Sequence, residues 1–118
     1  MAAILVVDDE RDISEAVRAI LEDEGHVVTV CGDGREAADF LSRGHQIDLV
    51  ISDVMMPRMS GLELLEQIRK AKNGAPNVIL MSGVNPTRTR STAKWDDFIK
   101  KPFNLDTLLD TVNRQLRR

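Results

Sequence analysis

The chain has a single cysteine, two histidines and no apolar run approaching the roughly 20 residues of a membrane span among its 118 residues. A lone thiol, Cys31, closes no internal disulfide, so a reducing cytoplasm is the expected compartment. With only His26 and His45 available, there is no Cys/His cluster for zinc. No glycine-rich phosphate loop is present, so a nucleotide site is not expected. Positive charge is in deficit: the net charge is −3 and the isoelectric point about 5.3, which argues against nucleic acid as a direct ligand. The start, Met1-Ala2-Ala3-Ile4-Leu5-Val6-Val7, has no basic residue and meets Asp8 at once. It is therefore expected to be a strand and not a secretory signal, and no membrane partner is expected.

What is present is ordinary in bulk, with 42% hydrophobic and 30% charged residues, and uneven in charge. Met1 to Pro57 holds 13 acidic and 4 basic residues, whereas Arg58 to Arg118 holds 6 acidic and 12 basic. Carboxylates near the N-terminus could serve a cation, and the basic half an anion or acidic partner, although most such charges are solvated helix faces. No repeat, low-complexity tract or linker interrupts the chain, and a single domain over 1–118 is expected.

Short apolar runs alternate with amphipathic helices. Ile4 to Val7 is continuously apolar, as a strand buried on both faces should be. Ile13, Ala16, Val17, Ile20 and Leu21 then share one helix face, which Gly25 ends. Val27 to Cys31 is β-branched and strand-like. Asp33 can cap a helix through Ala37, Ala38 and Leu41, stopped by Gly44. Leu49-Val50-Ile51, Val78 to Met81 and Phe98-Ile99 are three further strands. Helices carrying Leu62, Leu65 and Ile68, and Leu105, Leu108, Leu109, Val112 and Leu116 behind an Asn104 cap, complete the pattern. Five strands alternating with helices predict an α/β fold, a five-stranded parallel sheet with helices on both faces. Ligands of such sheets bind beyond the carboxyl ends of the strands.

At those ends stand Asp8-Asp9, Asp53, Ser82-Gly83 and Lys100-Lys101-Pro102. Singly, each has an ordinary use: Asp8 or Asp9 as a helix cap, Asp53 in a turn, Ser82 satisfying backbone groups, Lys101 on the surface. Jointly they put three carboxylates on one edge. Two like charges about 4 Å apart repel by roughly 4 kcal/mol at an effective dielectric of about 20. An ammonium and a divalent cation reverse that penalty, and Mg²⁺ suits an all-oxygen donor set. The chemistry that fits is phosphoryl transfer to Asp53, with the metal, Lys101 and the Ser82 hydroxyl neutralising the phosphoryl oxygens.

Val7-Asp8-Asp9-Glu10, Asp53-Val54-Met55-Met56-Pro57-Arg58-Met59-Ser60-Gly61, Met81-Ser82-Gly83 and Phe98-Ile99-Lys100-Lys101-Pro102-Phe103 occur in that order at the ends of four strands. In this the sequence resembles, over its whole length, the receiver domains of bacterial two-component response regulators, chemotaxis regulators among them. The resemblance implies a flavodoxin-like sheet of order 2-1-3-4-5. It implies Asp53 as phosphoacceptor and Mg²⁺ bound directly by Asp9, Asp53 and the Met55 backbone carbonyl, with Asp8 acting mainly through water. Lys101 would contact the phosphoryl group and, before it arrives, Asp53. Ser82 would be the switch hydroxyl, Phe98 the aromatic that turns with it, and the bond before Pro102 cis. The implied phosphoryl donor is a histidine kinase or histidine phosphotransfer protein, and the output an unnamed downstream protein; the chain is not expected to be an enzyme in its own right.

The sequence also departs from that family. The connection from Ser82 to Lys101 is a few residues short, polar, and has Lys94-Trp95 where a Gly-Ala pair is usual. A fourth helix there is expected to be short, irregular or mobile, and Trp95 to be either a partner contact or a cover for the sheet edge. Met55 and Val84 are apolar where many relatives are polar and cannot orient a hydrolytic water, so a long-lived acyl phosphate is expected. Two other readings use the same ingredients. A Mg²⁺-dependent phosphohydrolase of the haloacid dehalogenase-like kind needs an acid where Met55 stands. A pure interaction module would ordinarily have lost one of Asp8, Asp9, Asp53, Ser82 or Lys101. A free-standing regulator, a phosphorelay intermediate and a piece of a larger regulator or hybrid kinase all remain compatible with the chain.

Overall fold

The computed structural model describes residues 1–71, 75–83 and 94–117. In chain order the elements are β1 (Ala3–Val7), α1 (Arg11–Asp23), β2 (Val27–Cys31), α2 (Gly34–Ser42), β3 (Leu49–Asp53), α3 (Gly61–Lys70), β4 (Asn77–Ser82), β5 (Asp97–Lys100) and α4 (Leu105–Leu116). All four strand pairings are parallel, in the order β2-β1-β3-β4-β5.

The apolar strand runs are explained by two core layers. Alternate residues of a strand face opposite sides, so Ile4 and Val6 of β1 pack with Val17 and Leu21 of α1 and Leu108 and Val112 of α4. Leu5 and Val7 pack with Ala37 of α2 and Leu64, Leu65 and Ile68 of α3. Every residue of β3 is buried, since the strand is central and covered on both faces. Fully burying one such aliphatic side chain stabilises the fold by about 1.5–3 kcal/mol.

Helix ends follow their local chemistry. The Asp33 carboxylate accepts the Glu36 backbone N–H at 2.8 Å, and the Asn104 side-chain oxygen that of Thr107 at 2.8 Å. Gly25 and Gly44 end α1 and α2 at φ of 93° and 87°, a region that penalises a Cβ. α3 starts with a reciprocal cap: Ser60 Oγ accepts the Glu63 N–H, and the Glu63 carboxylate accepts the Ser60 N–H.

Some expectations shift. Leu105 leads the apolar stripe of α4 in sequence yet is 51% exposed, because it is the first helical residue and lies before the stretch that rests on the sheet. Neither Asp8 nor Asp9 is the N-cap of α1; Glu10 holds that place without a side-chain cap bond. The expected short or irregular helix between β4 and β5 falls largely on residues 84–93, outside the described residues. Trp95 is half-buried against the layer formed with α2 and α3, which favours its role as a cover. His26 stitches the start of β1 by accepting the Ala2 N–H at 3.1 Å, and His45 stacks on Phe40.

Candidate functional site

The parallel register brings the carboxyl ends of β1, β3, β4 and β5 to one edge, with Val7 beside Ser52, Asp53 beside Met81, and Ser82 beside Lys100. Asp8, Asp53 and Ser82 are all buried there. Just beyond β5, the Lys101 N–H donates to the Ser82 carbonyl at 2.9 Å, extending the ladder by one bond. The Lys101–Pro102 peptide is cis. From this position the Lys101 ammonium donates to Asp8 Oδ2 at 2.9 Å, to Asp53 Oδ2 at 3.1 Å and, at the edge of hydrogen-bonding range, to Glu10 Oε1 at 3.5 Å. The other Asp8 oxygen accepts the Glu10 N–H at 2.8 Å.

Carboxylate oxygens of Asp8, Glu10 and Asp53 lie within 4.8 Å of one another. One ammonium against three carboxylates leaves the cluster two charges negative when all are ionised. Burial is the largest influence on Asp53 and pushes its carboxyl above the ordinary value; the Asp8 charge pushes the same way, while Lys101 and the Met55 N–H oppose. For Lys101, burial alone would lower the pKa, but its bonds to Asp8 and Asp53 outweigh this and raise it. The donor set contains oxygen only, with neither thiolate nor imidazole. A hard divalent cation that takes few protein ligands fits both the donors and the missing charge.

The Asp53 backbone is packed as tightly as its side chain. Ser52 Oγ donates to the Asp53 carbonyl at 2.9 Å, and a Cβ on Gly61 would stand 2.2 Å from that same oxygen. Only glycine lets α3 begin this close to the end of β3.

Residues 4–113 match the family profile described as the response regulator receiver domain. The chain belongs to that family. As a receiver domain of the two-component type, it is 39% identical over 117 residues to the response regulator MprA of Mycolicibacterium vanbaalenii, an alignment covering 98% of this chain and 50% of MprA. Among solved structures it is similar to the response regulator TrrA of Thermotoga maritima, crystallised with Mg²⁺–BeF: TM-score 0.87, 37% identity, covering 98% of this chain and all of that one. A receiver domain of a signal transduction histidine kinase from Syntrophus aciditrophicus gives a TM-score of 0.89 at 36% identity, covering 98% of this chain and 90% of that one. The chain spans about half the length of the curated relatives it matches.

Of the residues singled out in the sequence of this receiver, the fold joins Asp8, Asp53 and Lys101 by direct contact, with Ser82 tied in through its carbonyl. Asp9 is exposed and lies outside the close triplet of carboxylates. Met55 is 73% exposed. Phe98 is half-buried against the α2 and α3 layer and pairs with Leu80 in register. Val84 is outside the described residues. Glu10 is the one member of the cluster not singled out from sequence. Its signal was weak, an acidic residue two after Asp8 at the start of a helix, where acidic residues are common for capping reasons alone. Among the described residues no helix is long and apolar enough to cross a membrane.

Proposed function

We propose that this receiver takes a phosphoryl group onto Asp53 in a Mg²⁺-dependent reaction and relays the event through Ser82 and Phe98 to its partner-binding surface. The observation that carries this reading is the Lys101 ammonium bridging the Asp8 and Asp53 carboxylates across three strand ends. A buried acid of raised pKa held beside a cation is a group prepared for a task and not for packing.

The donor is a phosphohistidine of a histidine kinase or phosphotransfer protein. An Asp53 oxygen attacks phosphorus, the P–N bond breaks as the P–O bond forms, and the imidazole leaves with the electron pair. Asp53, Asp9 and the Met55 carbonyl would hold Mg²⁺, with Asp8 acting through water and Glu10 adding charge. When bound, the ion neutralises phosphoryl oxygens and the surplus negative charge of the pocket. Lys101 exchanges its bond to Asp53 for one to the incoming phosphoryl group. Ser82 donates its hydroxyl to that group, and Phe98 turns with it. Such a switch moves an equilibrium only by contacts that differ between the two states, and the Ser82 and Lys101 contacts supply the difference.

The chain acts as phosphoacceptor and not as an enzyme with a separate substrate. Met55, two residues after the acceptor, has no proton to give, which disfavours the phosphohydrolase reading. The intact contacts among Asp8, Asp53 and Lys101 disfavour an inert interaction module. A cytoplasmic setting is part of the proposal, with no direct contact to nucleic acid or membrane by these residues and with the downstream protein unnamed.

The test is incubation with acetyl phosphate, with and without Mg²⁺, followed by intact mass, alongside Asp53→Asn. One Mg²⁺-dependent phosphoryl group absent from the variant is the expected result. Folded protein that takes up none, from acetyl phosphate or from a phosphohistidine donor, would end the proposal.

A further inference from the structure

The loop from Val54 to Ser60 carries the Met55 carbonyl; its ends are tied by the Val54 N–H to the Met81 carbonyl and by the Gly61 N–H to the Val54 carbonyl, and among the described residues no further sheet bond determines its course between them. Its shape is unusual at one residue. Arg58 has φ of 67°, a left-handed value for a side chain with a Cβ, and across it the Met59 N–H donates to the Pro57 carbonyl at 2.7 Å. A three-residue turn closed in that way around a positive φ is a strained form that persists only where its surroundings hold it.

The surroundings that hold it belong to α2, an element outside the phosphoacceptor pocket. The Arg58 guanidinium donates through Nε to Asp33 Oδ2 at 3.1 Å, and Nη2 donates to the same oxygen. Asp33 is buried, and its other oxygen caps α2 by accepting the Glu36 N–H. The carboxylate is thus oriented before Arg58 reaches it. The cap bond and Arg58 together draw its pKa below the ordinary value, so it stays ionised as a partner. A second contact lies beside the first: a Cβ on Gly34 would stand 2.4 Å from the Met59 carbonyl, so the start of α2 presses on the loop immediately after the turn. Met59 is itself buried in the layer shared with α2 and α3. The turn is therefore gripped on both sides, by an ion pair at Arg58 and by backbone contact at Met59.

We infer that Asp33 and Arg58 are positioning residues for the metal site: their bridge holds the Pro57–Met59 turn, and through it sets where the Met55 carbonyl stands. This rests on the reading of Asp53 and Met55 as parts of a Mg²⁺-dependent acceptor site. Among the described residues neither side chain bonds to Asp53 or to the proposed metal donors, so the bridge governs how readily the site takes its metal and not the chemistry once the metal is there. A mutation or ligand at the start of α2 would tune the receiver by the same route.

Three variants separate the bridge from the strain. Arg58→Gly removes the ion pair while suiting the left-handed backbone. Asp33→Asn removes the charge but keeps a capping oxygen. The double variant tests whether the two act as one unit. Each is examined by calorimetric titration with Mg²⁺, by the rate of labelling with acetyl phosphate as a function of Mg²⁺, and by thermal unfolding. Either single change should raise the Mg²⁺ dissociation constant about two- to fivefold, the range a partly exposed ion pair supports. The double variant should be no weaker than the singles, and the rate at saturating Mg²⁺ should match the unaltered protein. An unchanged Mg²⁺ constant in Arg58→Gly and Asp33→Asn, with only the unfolding temperature lowered, would reduce the bridge to a structural contact and overturn the inference. Failure of the unaltered protein to bind Mg²⁺ would instead overturn the reading of the site, and this inference with it.

Discussion

Replacing Lys101 by Met removes the one cation that the described residues bring to the Asp53 pocket, while keeping a side chain of similar length. The 2.9 Å and 3.1 Å contacts to Asp8 and Asp53 are each worth roughly 5–6 kcal/mol gross at an effective dielectric of about 20. Most of that gross attraction offsets the cost of burying the charges, and what is measured on breaking a buried pair is about 3–5 kcal/mol. The Lys101 side chain is 14% exposed, so water reaches the pocket and the lower end applies, about 3 kcal/mol. Urea unfolding at pH 7 in chelated buffer should show this as a fall in midpoint at constant slope. Two further results follow from the same reasoning. Adding Asp53→Asn to Lys101→Met should recover part of the loss, because one orphaned carboxylate is gone. Mg²⁺ should stabilise Lys101→Met more than the unaltered protein, since ligand stabilisation grows by about 1.4 kcal/mol for each tenfold tightening of binding at high metal. A Lys101→Met protein as stable as the parent in chelated buffer would refute the claim that the ammonium holds an over-charged pocket together.

Gly61→Ala places a Cβ where only 2.2 Å separates it from the Asp53 carbonyl oxygen. Against a gain in helix propensity of up to about 1 kcal/mol, the clash should cost about 1–3 kcal/mol and slow phosphorylation by displacing Asp53; a raised urea midpoint would contradict this. Met55→Asn should shorten the acyl phosphate lifetime several-fold by giving a water a polar anchor beside Asp53, read as decay of the phosphorylated mass; a longer lifetime would be the opposite of what the site chemistry requires. Burial alone would raise the Asp97 carboxyl, but bonds from Arg114, Gln115 and the Phe98 N–H outweigh it and hold the pKa below the ordinary 3.8. Its contribution is therefore present above pH 3.8 and lost as pH falls through the lower folded value. Asp97→Asn should cost about 0.5–1 kcal/mol at neutral pH, and the difference in urea midpoint should close in acid; a gap that widens towards acid would reverse the sign.

Much of this protein is determined by local pattern. The apolar runs of β1, β2 and β4, the stops at Gly25 and Gly44 and the caps at Asp33 and Asn104 each rest on a few adjacent residues, so they are legible without the fold. The same pattern set Asp8, Asp53 and Lys101 at the strand ends, and the resemblance carried by four short motifs added the strand order and a Lys101–Asp53 contact. The tertiary structure alone showed that Lys101 also holds Asp8. Lys101 stands 93 positions from Asp8 and 48 from Asp53, and only the parallel register, with β1 and β4 flanking β3, makes them neighbours. It also decided that Glu10 joins the cluster while Asp9 stays outside its close triplet, and that Leu105 is exposed despite its place in an apolar stripe. The Asp33–Arg58 bridge was equally hidden, since neither a capping aspartate nor a loop arginine signals a partner 25 residues away. Helix and strand formation depend on neighbours along the chain, whereas pocket charge, burial and bracing depend on which distant segments the sheet sets side by side.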